Sequence, residues 1–315
     1  MSFVKSYFKL LKEAFSEFSA DNVVKLSASL AYYTVFAIGP LLLVIISLTG
    51  LFFEKEAVTG ELYNQISNLV GKDGAEQVFT IIRNMQEQQT AARYSIIGSV
   101  ILIFGATGVF ADIQDSINYI WSIRAKPKKG WLKFITNRLL SFSLIIGIGF
   151  LMIVTLLVNT LTDLFTDKLQ RLFNSELVIL FQIINLGILF LVVSFLFAVI
   201  YKVLPDARIR WRDAFVGARF TGLLFLIGKF LIGYYLGTSS IGSTYGAAAS
   251  IIIVLSWVYY TAIILYFGAE FTKVYALNKG GGIEPYSNAV FIIKREAKEL
   301  DIHNTIDASN QPKAH

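Results

Sequence analysis

The sequence predicts an all-α membrane protein of six transmembrane helices, with short amphipathic helices lying at the interface. Three observations predict it. Of 315 residues, 55% are hydrophobic and 16% charged, with a mean hydropathy of +0.61, whereas soluble domains carry about 25% charged residues. Apolar runs recur that exceed the ~20 residues a helix needs to cross a bilayer at ~1.5 Å per residue. Lysines and arginines, finally, gather in alternate loops. The chain has no cysteine, which excludes disulfides, iron–sulfur clusters and thiolate zinc sites.

In order, residues 1–25 form an N-terminal arm with no signal-peptide pattern. Phe3, Tyr7, Leu11, Ala14 and Phe18 recur at helical spacing, with Lys5, Lys9, Lys12 and Glu13 elsewhere around the wheel. That is an amphipathic helix, lying either in the membrane interface or against the protein's own cytoplasmic loops. Asp21 is placed to cap the next helix. The first span covers 26–53, and Pro40 in its middle removes a helical hydrogen bond and predicts a kink, either for packing or as a hinge. In the loop 54–93, Leu62, Ile66 and Leu69, then Val78, Ile82 and Met85, predict two amphipathic helices broken at Gly71–Gly74, forming an extracytoplasmic cap.

The second span, 94–121, sets Gly98, Gly105, Gly108, Asp112, Asp115 and Tyr119 on one side, since steps of three, four and seven keep one helix face. Small residues there permit close helix approach, and the carboxylates then point into the bundle. The third span covers 139–161 and continues into an interfacial helix through Leu164–Phe173. The fourth, 177–203, carries Gln182 and Asn185. The fifth, 215–236, and the sixth, 245–272, are joined by a short Gly/Ser-rich link. Residues 277–315 form a polar, partly disordered tail.

Orientation follows from where the cations lie. The N-terminal arm, the second-to-third loop, the fourth-to-fifth loop with Lys202 just before it, and the tail with Lys273 just before it together hold 20 lysines and arginines. The opposite face holds only Lys55, Lys72, Arg83, Arg93, Lys168 and Arg171. Under the positive-inside rule this predicts six spans with both termini in the cytoplasm, in a bacterial inner membrane. The net charge of +6 is thereby topogenic, and no nucleic-acid partner is expected.

Charges inside the spans are the informative residues, because each costs ~2.5–3.5 kcal/mol to insert and so faces protein or a water-filled cavity. Lys229 lies ~21 Å along the fifth span from Phe215, in the outer half of the bilayer. Asp112, Asp115 and Glu270 lie nearer the cytoplasmic ends of their spans, at the depth of Arg219. The simplest pairing joins Arg219 to one of those acids. Lys229 then looks to Asn159, Gln182 or Asn185, to a carbonyl near the Pro40 kink, or outward to the interface by snorkelling.

The stretches DNVVKLSASLAYYTVFAIGPLLL, GVFADIQDSINYIW, VLPDARIRWRDAFVGA, GKFLIGYYLG and YGAAASIIIVLSWVYYTAIILYFGAE resemble the YihY/BrkB family of bacterial inner-membrane proteins. The resemblance covers residues 21–276 and implies six transmembrane helices. It also implies a link to serum resistance and to envelope or lipid export, and carries an older label of ribonuclease BN. The matching positions are Tyr32, Tyr33 and Pro40, Asp115 and Asn118, then Pro205, Gly217, Lys229, Tyr235, Gly246, Trp257 and Glu270. The chain departs from the pattern at Leu226, where members often carry an acid, and at Arg219. No in-helix partner for Lys229 is therefore carried over.

Catalytic motifs are absent from the sequence. Its two histidines, His303 and His315, lie in the tail, so no metal cluster or catalytic triad is expected, and no cofactor. The fragment GLLFLIGKF has the wrong spacing for a phosphate loop and sits inside an apolar span. The expectation is a non-enzymatic transporter or lipid-export factor whose intramembrane polar cavity takes an anionic lipid or solute. Lys229 and Arg219 would attract it, with Asp112, Asp115 and Glu270 as counter-ions and Asn118, Tyr32 and Tyr33 lining the cavity. The alternative is an envelope scaffold whose buried charges hold helices in register.

Overall fold

The computed structural model describes residues 2–50, 52, 54–88, 95–126, 175–238 and 249–293, together with Ile135 and Ile145. Its helices are α1 (Ser2–Ala20), α2 (Val23–Thr49), α3 (Lys55–Gln88), α4 (Ser95–Ile120), α5 (Ser175–Val203), α6 (Trp211–Thr238) and α7 (Ala249–Asn278). Among the described residues, four segments are long and apolar enough to cross a membrane: Val23–Ser47, Leu186–Val203, Trp211–Ile232 and Ile251–Asn278. The chain is a multi-pass membrane protein. The second predicted span is helical as α4. Most of the third lies outside the described residues, although Ile145 within it is helical and buried. The amphipathic stretch through Leu164–Phe173 also lies outside them.

The helices pack through small and apolar faces, the means by which helices associate where no water drives them together. α2 lies against α3, α4 and α7, while α6 lies against both α5 and α7. Leu30, Ala37, Leu42 and Ile45 of α2 meet Val109, Ile113 and Ile117 of α4 and Val254, Trp257 and Leu265 of α7 in one buried core. Pro40 stays inside a continuous α2. A side chain on Gly105 would begin 3.0 Å from the Pro40 ring, so the bare glycine is what lets α2 and α4 touch there. Tyr201 of α5 donates to the carbonyl of Leu265 at 2.8 Å and lies 3.0 Å from the Thr221 hydroxyl, fastening α5, α6 and α7 by one buried ring.

α3 is two helical pieces meeting at Gly71, whose φ of 81° and ψ of 168° break the helix. A residue with Cβ is strained at that φ, which glycine accepts. Leu62, Val78 and Ile82 turn both pieces inward, as their spacing predicts, and Val58 is buried with them. α1 turns Leu10 and Ala14 onto Phe271 and Val274 of α7, with Phe220 of α6 against the same patch. Its apolar stripe thus meets protein, while Phe8 and Phe15 remain exposed.

Two features depart from the sequence reading. The described residues are mostly helical, as the all-α class predicts, but among them four short strands also occur: β1 (Ile123–Ala125), β2 (Ala207–Arg208), β3 (Glu284–Pro285) and β4 (Ala289–Phe291). β1 pairs antiparallel with β4, and β2 with β3. Runs of two or three residues carry too little alternation for periodicity to register. The pairs bring the ends of α4 and α5 together with the segment after α7. α7 also continues two turns past Glu270 to Asn278, beyond the end predicted for the sixth span at 272. Phe271 and Val274 extend the apolar face there because α1 covers it.

Candidate functional site

Polar groups collect along one face of α7, where Tyr266, Glu270 and Lys273 succeed one another at helical steps of four and three. At its base Lys273 is the hub. Its ammonium lies 2.8 Å from Glu17 Oε2 of α1, 2.8 Å from Glu270 Oε2 and 2.9 Å from the carbonyl of Ile120, the last residue of α4. Asp21 stands 3.6 Å away. The ammonium donates to Glu17 and to the Ile120 carbonyl, and Glu270 lies equally near as an ion pair; a cation at a helix C-terminus also suits the α4 dipole. Glu270 is wholly buried and neither of its oxygens has an aligned donor. Its attraction to Lys273 is therefore chiefly one of charge. Carboxylate oxygens of Glu17, Asp21 and Glu270 lie within 4.8 Å of one another, with the ammonium already among them.

Above the hub is a second polar group. Ser29 of α2 donates to Asp112 Oδ1 at 3.4 Å, while Asp112 Oδ2 is buried without a hydrogen bond. The hydroxyl of Tyr266, also buried and without an aligned partner, faces Ser116 and lies in the field of Asp112 and Asp115. Below them Asn118 donates to Asp206 Oδ2 at 2.8 Å and accepts the Asp206 N–H at 2.8 Å. Trp121 Nε1 donates to the Ala269 carbonyl at 3.1 Å. These bonds seat the end of α4 against α7 and the turn after α5.

The residues singled out from sequence divide accordingly. Glu270 joins the hub, and its cation is Lys273, not Arg219. Arg219 is exposed on α6 and has no ion pair among the described residues. Lys229 is half-buried and likewise has no ion pair or hydrogen bond among them. Asn118 is a buried clamp on Asp206. Tyr32 and Tyr33 are exposed, with Tyr32 packed on Phe36 at 5.0 Å between ring centroids. Asp115 is exposed beside Asp112. Asn159 lies outside the described residues, as do the side chains of Gln182 and Asn185 on α5. Lys273 itself reads from sequence as a topogenic tail charge. Its local signal is Glu270, three residues earlier on the same helix.

A family profile described as Virulence factor BrkB matches residues 14–290. The chain belongs to the BrkB family. A relative called UPF0761 membrane protein, from Tolumonas auensis, is 31% identical over 269 residues, 80% of each chain. One of the same name from Pseudomonas paraeruginosa is 29% identical over 256 residues, covering 80% of this chain and 59% of that relative's length. A third, from Legionella pneumophila, is 25% identical over 318 residues, 96% of this chain and 73% of its own. No solved structure matches. The family match embraces the hub whole, from Glu17 on α1 to Lys273 on α7.

Proposed function

We propose that this BrkB-family chain is a bacterial inner-membrane transporter or lipid-export factor that handles an anionic lipid headgroup or solute along α6, without catalytic chemistry. One observation carries the reading: of the cations within the apolar helices, Lys273 is neutralised, while Arg219 and Lys229 on α6 have no partner among the described residues. A cation left open in a membrane helix marks a substrate pathway more often than a structural bond. The two are ten residues apart, ~15 Å along the helix, which suits two successive stations for an anion. Leu223, Ile227, Phe230 and Leu231 are exposed on the same helix and offer an apolar flank for acyl chains. Arg124, Lys126, Arg208 and Lys279 share the end of the bundle that holds the strand pairs, opposite Lys55, Lys72 and Arg83 on α3. That segregation supports both termini being cytoplasmic.

The test is lipid retention. Native mass spectrometry of the purified protein should find co-purified anionic lipid. Lys229→Met should lose it without a fall in melting temperature, and Lys229→Arg should keep part of it because the charge survives. A Lys229→Met protein with wild-type lipid occupancy would overturn the reading. The second reading, an envelope scaffold, is favoured by the hub, which spends three acids and a cation on joining α1, α4 and α7. In that case Lys273 variants change stability and Lys229 variants change nothing.

A further inference from the structure

We propose that Asp112, with Ser29, Ser116 and Tyr266, forms an intramembrane binding site for a hard monovalent cation, sodium being the type ligand. Three helices supply it: Ser29 from α2, Asp112 and Ser116 from α4, and Tyr266 from α7. Every donor is an oxygen, the atom hard cations select over nitrogen and sulfur.

Two orphans point to an occupant. Asp112 Oδ2 is buried without a hydrogen bond, and the hydroxyl of Tyr266, a side chain fully buried on the facing helix, faces Ser116 without an aligned bond. The two lie in each other's field yet do not bond each other. A proton on Asp112 would satisfy the carboxyl alone. An ion seated between them serves both oxygens.

Among the described residues of α2, α4 and α7, none forms an ion pair with this acid. α4 contains no lysine or arginine. The sole cation of α7 is Lys273, two turns from Tyr266 and engaged with Glu17, Glu270 and Ile120. α2 contributes only Lys25, one turn before Ser29, and that residue is exposed and in no ion pair among the described residues. An uncompensated carboxylate in a membrane helix is costly, and such residues mark ion pathways. Divalent oxygen sites take six to eight ligands, commonly with several carboxylates. A single buried carboxylate oxygen with neutral hydroxyls suits one positive charge. Asp115, exposed beside Asp112, stands where an ion would enter.

This site lies on α2, α4 and α7, so it stands or falls separately from the reading of α6. The experiment is thermal denaturation of the full chain in neutral detergent, with sodium chloride replaced stepwise by choline chloride at constant ionic strength. The wild-type midpoint should rise with sodium and saturate. Asp112→Asn should abolish the response, and Tyr266→Phe should raise the half-saturating concentration about tenfold. Should Asp112→Asn fail to fold, Ser29→Ala combined with Tyr266→Phe takes its place. A wild-type midpoint indifferent to sodium overturns the site. So does a midpoint that tracks pH alone at fixed sodium, since a proton then occupies Asp112, and so does a sodium response that survives in the variants.

Discussion

Replacing Lys273 by methionine keeps most of the side-chain volume and removes the ammonium. The structure sets the expected size of the loss. Lys273 and Glu270 side chains are 8% and 0% exposed, and Asp21 is 4% exposed. Without the cation, two buried carboxylates and the half-exposed Glu17 face one another, and the terminal carbonyl of α4 loses its donor. Breaking a buried pair by removing one partner costs ~3–5 kcal/mol. At ~2–4 °C per kcal/mol for a chain of this order of size, the melting temperature should fall by on the order of 10 °C. The reverse substitution should behave differently. In Glu270→Gln the ammonium keeps Glu17, Asp21 and the Ile120 carbonyl, and one of three carboxylates around a single cation is removed, so the loss should be smaller than that of Lys273→Met. In Lys273→Met/Glu270→Gln, much of the single-variant loss should return, because the stranded charge is gone. Fluorescence-detected size-exclusion chromatography after heating measures all three. A Lys273→Met protein melting within a degree of wild type would refute the reasoning, as would strictly additive losses in the double variant.

Asn118→Leu should destabilise the protein by ~2–4 kcal/mol, since it deletes two hydrogen bonds to a buried aspartate; the same melting assay measures it, and a change below ~0.5 kcal/mol would remove the clamp. For topology, Glu76→Cys on α3 and Arg208→Cys on β2, both exposed positions, should respond oppositely to an impermeant thiol reagent added to intact cells. Labelling of Arg208→Cys from outside would reverse the assignment of faces.

The membrane helices were legible because their signal is long. The runs underlying α2, α5, α6 and α7 each present enough consecutive apolar residues to be read without any partner. The break in α3 was legible from glycine alone. The hub was not. A lysine just after an apolar run looks like a flanking charge, and two of its acids, Glu17 and Asp21, lie some 250 positions away, beyond any local pattern. Depth arithmetic set Arg219 level with Asp112, Asp115 and Glu270, but height does not say which way a side chain faces. On α6 the arginine turns outward while Gly217 and Ala218 turn in. Asn118 was singled out by resemblance, yet its use as a clamp on Asp206 depends on a turn that only the folded chain brings near.

The pairing of β1 with β4 and of β2 with β3 has a consequence for biosynthesis. Chains are made from the N-terminus, at ~5–20 residues per second. The ends of α4 and α5 therefore wait, unpaired, until residues 284–291 have come out of the ribosome after α7. Lys273 emerges shortly before them, so the docking of α1 belongs to the same late interval. α1 and the strands β3 and β4 are thus secured almost together. A nascent chain stopped at Asn278 would hold every helix described, yet lack the fastening that joins the ends of α4 and α5.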